Sequence, residues 1–335
     1  MDSPSPRVDA FRAFRIHAGR DAHRAGIETL GIDDLAPGEV VVRANFSGVN
    51  YKDALAGSGT GRILRRSPLV GGIDVAGTVT ASTDPRFREG DEVLVTGSGL
   101  SETRDGGYSE FVRLDAAHVV PLPKGLDARE AMVLGTAGFT AALALYRLQA
   151  NGQSPEMGPI VVTGATGGVG SIAIDLFTRV GYEVHAISGK PDQFDFLASL
   201  GARQCVSRQG LVYGQRPLES ATWAGAVDNV GGETLSGLTR MISPYGSIAS
   251  CGLAGGAELH TTVMPFIIRG VSVLGIATAE VPYPLRRLLW DHLATDWKPA
   301  HLERIATAEV SLPELEGVFA RMLAGSSLGR TLVRL

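Results

Sequence analysis

With 335 residues, 44% of them apolar, the chain has material for one large hydrophobic core or two ordinary ones. Its 31 basic and 35 acidic residues leave a net charge of −4, which gives nucleic acid or an anionic membrane no overall attraction and points to a small-molecule partner. Two cysteines, Cys205 and Cys251, exclude a disulfide framework and a four-thiolate zinc site, and they suit a reducing compartment.

The first residues, MDSPSPRVDAFRAF, lack the apolar stretch of a signal peptide, and the most apolar run, Val133 to Leu148, is broken by Gly135, Thr136, Gly138 and Thr140. A cytoplasmic setting is expected. Up to about residue 125 the pattern is short strands set off by Gly, Pro and Asp: EVVVRANFSGV, DVAGTVTAS, DEVLVTG, GGYSEFVRL and AHVVPLP. That half is expected to be a compact, barrel-like β unit. Within it, the plainer reading of VNYKDAL is a helix start capped by Asn50, which can coexist with a site role, and a local ion pair explains Lys52 and Asp53 as well as a functional role does.

From Asp127 the period changes to long helical stretches alternating with apolar strands, the signature of βαβ units on a parallel sheet. Strands are predicted over Ile160 to Thr163, Glu183 to Ile187, Gln204 to Ser207, Gly225 to Asn229, Gly246 to Ser250 and Val271 to Gly275. Six such strands complete a doubly wound sheet. Amphipathic helices follow around Pro284 to Thr295 and Pro313 to Ala324, and a last strand runs from Arg330 to Leu335.

The segment VVTGATGGVGSIAIDLF runs a strand into a helix through Gly164, Gly167 and Gly170, spaced G-x-x-G-x-x-G, with Gly168 between the last two. Glycines there permit positive φ and a close approach of phosphate to backbone N–H groups, while the helix N-terminus faces the anion. Taken alone the pattern also suits a turn that only packs helix on strand; the flanking strands make a dinucleotide site the better reading. An NAD site usually has an acid at the end of the next strand, and here Ser188, Gly189 and Lys190 stand instead. A hydroxyl, a close backbone and a cation suit a 2′-phosphate, and Arg208 after the third strand closes the same pocket. NADPH is therefore the expected cofactor, against the plainer reading of Lys190 and Arg208 as solvated surface charge.

Taken together, SGVNYKDAL, GGIDVAGTV, GTAGFTAALAL, GGYSEFVRL, AVDNVGG, CGLAGGAELHTTVMPFIIRGVSVLGI and the terminal GRTLVRL resemble the medium-chain dehydrogenase/reductase superfamily. The likeness is to its zinc-free quinone oxidoreductase branch, and within that to the acrylyl-CoA reductase group. It covers nearly the whole chain after the first ten or so residues. The resemblance implies an α/β architecture: a GroES-like β-rich catalytic domain from residues 1–130 and 279–335, with an inserted Rossmann doubly wound parallel-sheet domain, residues 131–278. It also implies an active site in the cleft between them, and a homodimer.

Zinc members of the superfamily bind metal through a Cys in the first motif and a His-Glu pair in the second, positions that here look like Asn50 and Ile73-Asp74. The thiolate and imidazole that zinc prefers are absent, so no metal is expected. Without a Lewis acid, reduction of a C=C polarised by a carbonyl fits better than alcohol oxidation. The reaction expected is NADPH-dependent reduction of a short α,β-unsaturated acyl-CoA, acrylyl-CoA to propionyl-CoA. NADPH:quinone reduction and a catalytically idle NADPH-binding protein are the alternatives.

Tyr51 is the first candidate near the nicotinamide, its hydroxyl bonding cofactor, substrate carbonyl or water, with the neutral amide of Asn50 beside it. By resemblance Tyr51 is a cofactor contact. The resemblance also assigns cofactor contacts to Thr166, Gly167, Gly168 and Val169 at the phosphate turn, and to Leu253, Ile267, Thr278 and Gly325. Each of these also reads as ordinary turn or core. Arg62, Arg65 and Arg66 in the loop GTGRILRRSP offer cations to the phosphates of a CoA thioester, although loop arginines are commonly just solvated.

Overall fold

The computed structural model describes residues 10–19 and 23–335. The chain opens with strands β1 (Phe11–Ala18), β2 (His23–Leu30) and β3 (Val40–Gly48), helix α1 (Tyr51–Ser58), and strands β4 (Leu69–Val70) and β5 (Asp74–Ser82). Then come β6 (Glu92–Thr96), β7 (Phe111–Leu114), β8 (Val120–Pro121) and α2 (Ala128–Ala150). The alternating part follows: β9 (Ile160–Thr163), α3 (Gly168–Arg179), β10 (Val184–Ser188), α4 (Phe194–Ser199), β11 (Gln204–Ser207) and β12 (Trp223–Asp228). It continues with α5 (Gly232–Met241), β13 (Ile242–Ser250), α6 (Met264–Arg269) and β14 (Ser272–Gly275). The chain ends with α7 (Tyr283–Ala294), α8 (Leu302–Ile305), β15 (Ala306–Val310), α9 (Leu315–Leu323) and β16 (Arg330–Arg334).

Two compact units result, one of Met1–Thr136, Ala279–Ala294 and Ala306–Leu335, the other of Ala137–Thr278 and Thr295–Ile305. Helix α2 carries the chain from one to the other. Gly135 interrupts it at φ 48°, ψ −152°, outside helical space. This helix is long and apolar enough to cross a membrane, but 83% of its apolar stretch is buried in the fold, where it serves as core.

The first unit is built on a mixed sheet in the order β15-β16-β3-β5-β6-β8, with β7 also paired to β3. Val40, Val42 and Ala44 of β3 alternate inward and are buried, the period-2 pattern of a half-buried strand. A three-stranded sheet, β2-β1-β4, flanks it. Phe14, Tyr108 and Phe319 pack edge to face or tilted at 5.8 to 6.4 Å between centroids and hold α9 to this sheet. Burial of each such ring contributes roughly 1.5–3 kcal/mol.

The second unit carries a six-stranded sheet in the order β11-β10-β9-β12-β13-β14, parallel throughout. That is the doubly wound order, reversing between β9 and β12. Helix α3 buries Ile172, Ala173, Ile174, Leu176 and Phe177.

Three features differ from the sequence reading. The hairpin of β1 and β2 has little strand signal in the sequence, because β1 intersperses Arg12 and Arg15 with its apolar residues and β2 offers only Ile27 and Leu30 as large ones. The returning segment 279–335, expected whole in the first unit, leaves 295–305 to the second. The buried Asp175 of α3 explains this: its carboxylate accepts from the N–H of Ala300 at 3.0 Å and of His301 at 2.7 Å. Arg304 also donates to the Ser199 carbonyl at 3.2 Å. The other boundary, expected after residue 130, falls after Thr136, whose N–H and hydroxyl donate to Asp74 of the first unit.

Candidate active site

In the second unit, β9 ends at the buried Thr163 and the chain turns through Gly164 at φ 59° into α3. A Cβ on Gly170 would stand 2.5 Å from the Gly164 carbonyl oxygen, so only glycine lets the helix press on the turn this closely. Gly167 is the N-cap of α3, and Gly168, Val169 and Gly170 are its first residues, whose N–H groups have no acceptor within the helix. Thr166 is buried beside them. The turn is braced from β12: Asp228 accepts from the Thr163 hydroxyl at 2.6 Å and the Gly231 N–H at 2.8 Å, and the Asn229 amide donates to the Thr163 carbonyl at 2.8 Å. Burial pushes the Asp228 carboxyl up while these bonds oppose it. The bracing fixes the strand ends on both sides of the point where the sheet order reverses.

Ser188, at the end of β10, approaches Thr166 with 3.4 Å between hydroxyls and accepts from the Lys190 N–H at 3.1 Å. The Arg208 guanidinium covers Gly189, where a Cβ would lie 3.2 Å from Nη2. Arg208 makes no ion pair among the described residues. Burial lowers the Lys190 ammonium pKa, with Asp192 opposing it. The structure thus brings together Thr166, Ser188, Gly189, Lys190 and Arg208 as a cationic, hydroxyl-bearing recess, a donor set that fits a 2′-phosphate. Two further residues of this recess were not singled out in the sequence. Gln209 donates to the Gly189 carbonyl at 3.2 Å and accepts from the Ser207 hydroxyl at 2.7 Å, tying the two strand ends together.

A cavity of about 290 Å³ opens at the carboxyl ends of β12 and β13, lined in part by Gly231, Leu235, Cys251, Leu253 and Glu258. Leu253 is thus placed on a cavity. Ile267 stands on α6, 72% exposed, and Thr278 follows β14 at the end of the unit's main segment.

The first unit holds Asn50, Tyr51 and Gly325. Tyr51 is the first residue of α1 and is 44% exposed, while Gly325 follows α9 at φ 70°, where a Cβ would meet no other group within 4 Å. Asn50 is the N-cap residue of α1, and the carboxylate of Asp53 accepts from its N–H at 2.8 Å. The local ion pair that the sequence allowed between Lys52 and Asp53 does not form. Asp53 turns inward and also accepts from the Ile73 N–H at 2.9 Å, whereas Lys52 reaches Glu102.

Around Asn50 lies a buried network that sequence reading did not assemble. Its amide donates to Asp53 at 3.1 Å and to Asp74 at 2.8 Å, and its oxygen accepts from Arg330 at 3.0 Å. Arg330, 2% exposed, also donates to the carbonyls of Val49 at 2.7 Å, Val133 at 3.0 Å and Met132 at 3.4 Å, and stands 3.6 Å from Asp74. The Tyr108 hydroxyl closes the group by donating to the Gly48 carbonyl at 3.3 Å. Burial, reinforced by the nearby Asp74, raises the Asp53 pKa to about 7 against the hydrogen bonds from Asn50 and Ile73. Burial likewise lowers Arg330 and raises Tyr108 well above the usual phenol value. The donor set does not fit zinc: at the positions where the superfamily places metal ligands, an amide and a carboxylate are already committed to a guanidinium and Thr136. Among the described residues, no three His, Cys, Asp or Glu side chains gather into a metal site.

Of the loop arginines, Arg65 pairs with Glu102 at 2.9 Å and Arg66 donates to the Thr103 carbonyl at 3.4 Å. Arg62 is exposed and makes no ion pair among the described residues.

Comparison with known proteins identifies the family. Residues 36–124 match the family model of the alcohol dehydrogenase GroES-like domain, and residues 168–295 match that of the zinc-binding dehydrogenases. The chain is 45% identical over 311 residues to the acrylyl-CoA reductase AcuI of Ruegeria pomeroyi, covering 92% of this chain and 94% of that protein. Among solved structures it is similar to the yhdH oxidoreductase of Salmonella enterica in complex with NADP, at a TM-score of 0.93 and 42% identity over 97% of this chain and 99% of that one. It is equally similar to the Bacillus subtilis protein yhfP with NAD bound, at a TM-score of 0.93 and 44% identity over the same shares.

Proposed function

Because the chain belongs to the medium-chain dehydrogenase/reductase superfamily, in its zinc-free branch, we propose that it is an NADPH-dependent reductase of short α,β-unsaturated acyl-CoA thioesters, converting acrylyl-CoA to propionyl-CoA. Oxidoreductase chemistry with a nicotinamide cofactor follows from the family; the thioester is the finer part of the proposal. The observation that carries it is the nature of the polar groups at the superfamily's metal positions. They are spent on an internal amide–carboxylate–guanidinium network, which leaves alcohol oxidation without its electrophile and suits an acceptor activated by its own carbonyl.

When bound, NADPH supplies the hydride that reaches the β-carbon. The chain's own residues do the rest. The first N–H groups of α3 receive the pyrophosphate, and Ser188, Lys190 and Arg208 hold the 2′-phosphate. The exposed Tyr51 hydroxyl donates to the cofactor or to the thioester oxygen as negative charge grows there, and Asn50 sets its position by anchoring the start of α1, its N–H bonded to Asp53 and its side chain to Asp53, Asp74 and Arg330. Arg62, Arg65 and Arg66 face the phosphates of the CoA portion. Leu253, Ile267, Thr278 and Gly325 complete the cofactor contacts in this reading.

Steady-state NADPH oxidation with acrylyl-CoA, crotonyl-CoA and a small quinone tests the proposal. Turnover of the thioesters is expected. Turnover of the quinone alone would make the protein a quinone reductase, and tight NADPH binding without any turnover would make it an idle binding protein.

The proposal includes a cytoplasmic homodimer. β14 is an outer strand of the six-stranded sheet, and the segment leading into it exposes Val263 and Ile268 at 64 and 57%, an edge that a second copy would cover. Sedimentation at the mass of a monomer would remove the dimer from the proposal.

A further inference from the structure

Four cations, Lys52, Arg62, Arg65 and Arg66, stand within fifteen residues on α1 and the loop after it, in a chain whose net charge is −4. Two of them converge on one carboxylate from a different loop: Glu102 accepts from Lys52 at 2.5 Å and from Arg65 at 2.9 Å. The Arg65 N–H also donates to the Glu102 carbonyl at 2.8 Å, and Arg66 to the Thr103 carbonyl at 3.4 Å, so the two loops are docked by backbone as well as by charge. The Lys52 hydrogen bond holds the Glu102 carboxyl below its usual range. The segment that delivers Glu102 is tightly bent, with Gly97, Ser98, Gly99 and Ser101 all at positive φ. For the two serines, at 52° and 58°, that conformation carries a strain which the docking must offset.

We infer that Lys52, Arg62, Arg65 and Arg66 form a subsite for the phosphate esters of the substrate's nucleotide handle, and that Glu102 is a built-in competitor occupying it until such a substrate arrives. The inference rests on the thioester reading. An ion pair with Arg65 74% and Lys52 36% exposed is weak and easily surrendered, whereas a phosphate or pyrophosphate brings more charge and accepts two bonds from one guanidinium. Glu102 therefore sets specificity. A ligand without phosphate cannot displace it, and one with phosphate gains the site at the cost of two partly exposed ion pairs.

The test compares acrylyl-CoA with acrylyl-pantetheine, which shares the reacting end and lacks the nucleotide. The wild type should show a KM at least tenfold lower for the CoA ester. Glu102→Gln removes the competing charge and should lower the KM ratio of CoA ester to pantetheine ester by a further three- to fivefold, while Arg62→Ala should raise it. An independent readout is calorimetry of free coenzyme A added to NADP+-saturated protein, in which Glu102→Gln should bind three- to fivefold more tightly. A merely structural role for Glu102 would move both esters together and loosen binding. An unchanged or increased ratio, or one KM for both esters in the wild type, overturns the inference. Should the wild type reduce quinone and neither thioester, the functional reading falls by itself. The calorimetric arm then decides the subsite: tighter binding to the variant sustains it and absent binding refutes it.

Discussion

Replacing Arg330 by Met keeps a long apolar stem and deletes the guanidinium. Four acceptors lose their donor: the carbonyls of Val49, Met132 and Val133, and the Asn50 side-chain oxygen. Asp74, fully buried, loses the cation 3.6 Å away. Removing one partner of a buried ion pair costs roughly 3–5 kcal/mol. Asp74 keeps the Thr136 N–H, the Thr136 hydroxyl and the Asn50 amide, so the lower end of that range applies, about 3 kcal/mol. Hydrogen exchange at the amides of β3 and β16, together with urea unfolding, reads this loss in the unit that suffers it. Adding Asp74→Asn to Arg330→Met should recover about 1–2 kcal/mol, because the uncompensated carboxylate goes with it. A loss under about 1 kcal/mol for the single variant, or strictly additive losses in the double variant, would refute the claim that Arg330 compensates Asp74.

Three other outcomes are expected. Lys190→Ala and Arg208→Ala should each weaken NADPH about ten- to a hundredfold while leaving NADH within about twofold, by fluorescence titration; equal effects on both cofactors would reject the 2′-phosphate recess. Tyr51→Phe keeps the ring and removes the hydroxyl, so kcat/KM should fall about tenfold or more, and an unchanged value would eliminate its polar role. Asp53 has a folded pKa of about 7 against an ordinary 3.8, so between those values the unfolded chain releases a proton that the folded chain retains. Stability should therefore decline as pH rises from about 4 to 7, by at most roughly 4 kcal/mol, and level off above; Asp53→Asn should flatten that slope, and a slope that persists would assign it to another group.

The parallel sheet was legible because its central strands β9, β10 and β12 are short apolar runs, and because the glycine turn must lie between a strand and a helix. Its boundaries were less so. β13 begins at Ile242, four residues before its predicted start, since Tyr245 at φ 62° and a register shift opposite Trp223 and Gly225 let the strand bend and still pair. The recess around Ser188 was readable from local order alone, but Gln209 and Ser207 were not, because their contribution is a bond to the neighbouring strand end rather than a charge.

The network around Asn50 lay beyond sequence reasoning for a more basic reason. Asn50 and Arg330 are 280 residues apart and meet because β16 pairs with β3, an antiparallel register that no local pattern reveals. Nor does sequence distinguish the two aspartates. Asp74 stands 3.6 Å from Arg330 and accepts from Thr136 and Asn50, whereas Asp53 accepts from Asn50 and Ile73. Burial, reinforced by the nearby Asp74, makes Asp53 a carboxyl that holds its proton toward neutral pH. Identical side chains thus acquire different partners from a strand pairing. The same pairing fixes Asn50, and through it the start of α1, where Tyr51 is presented.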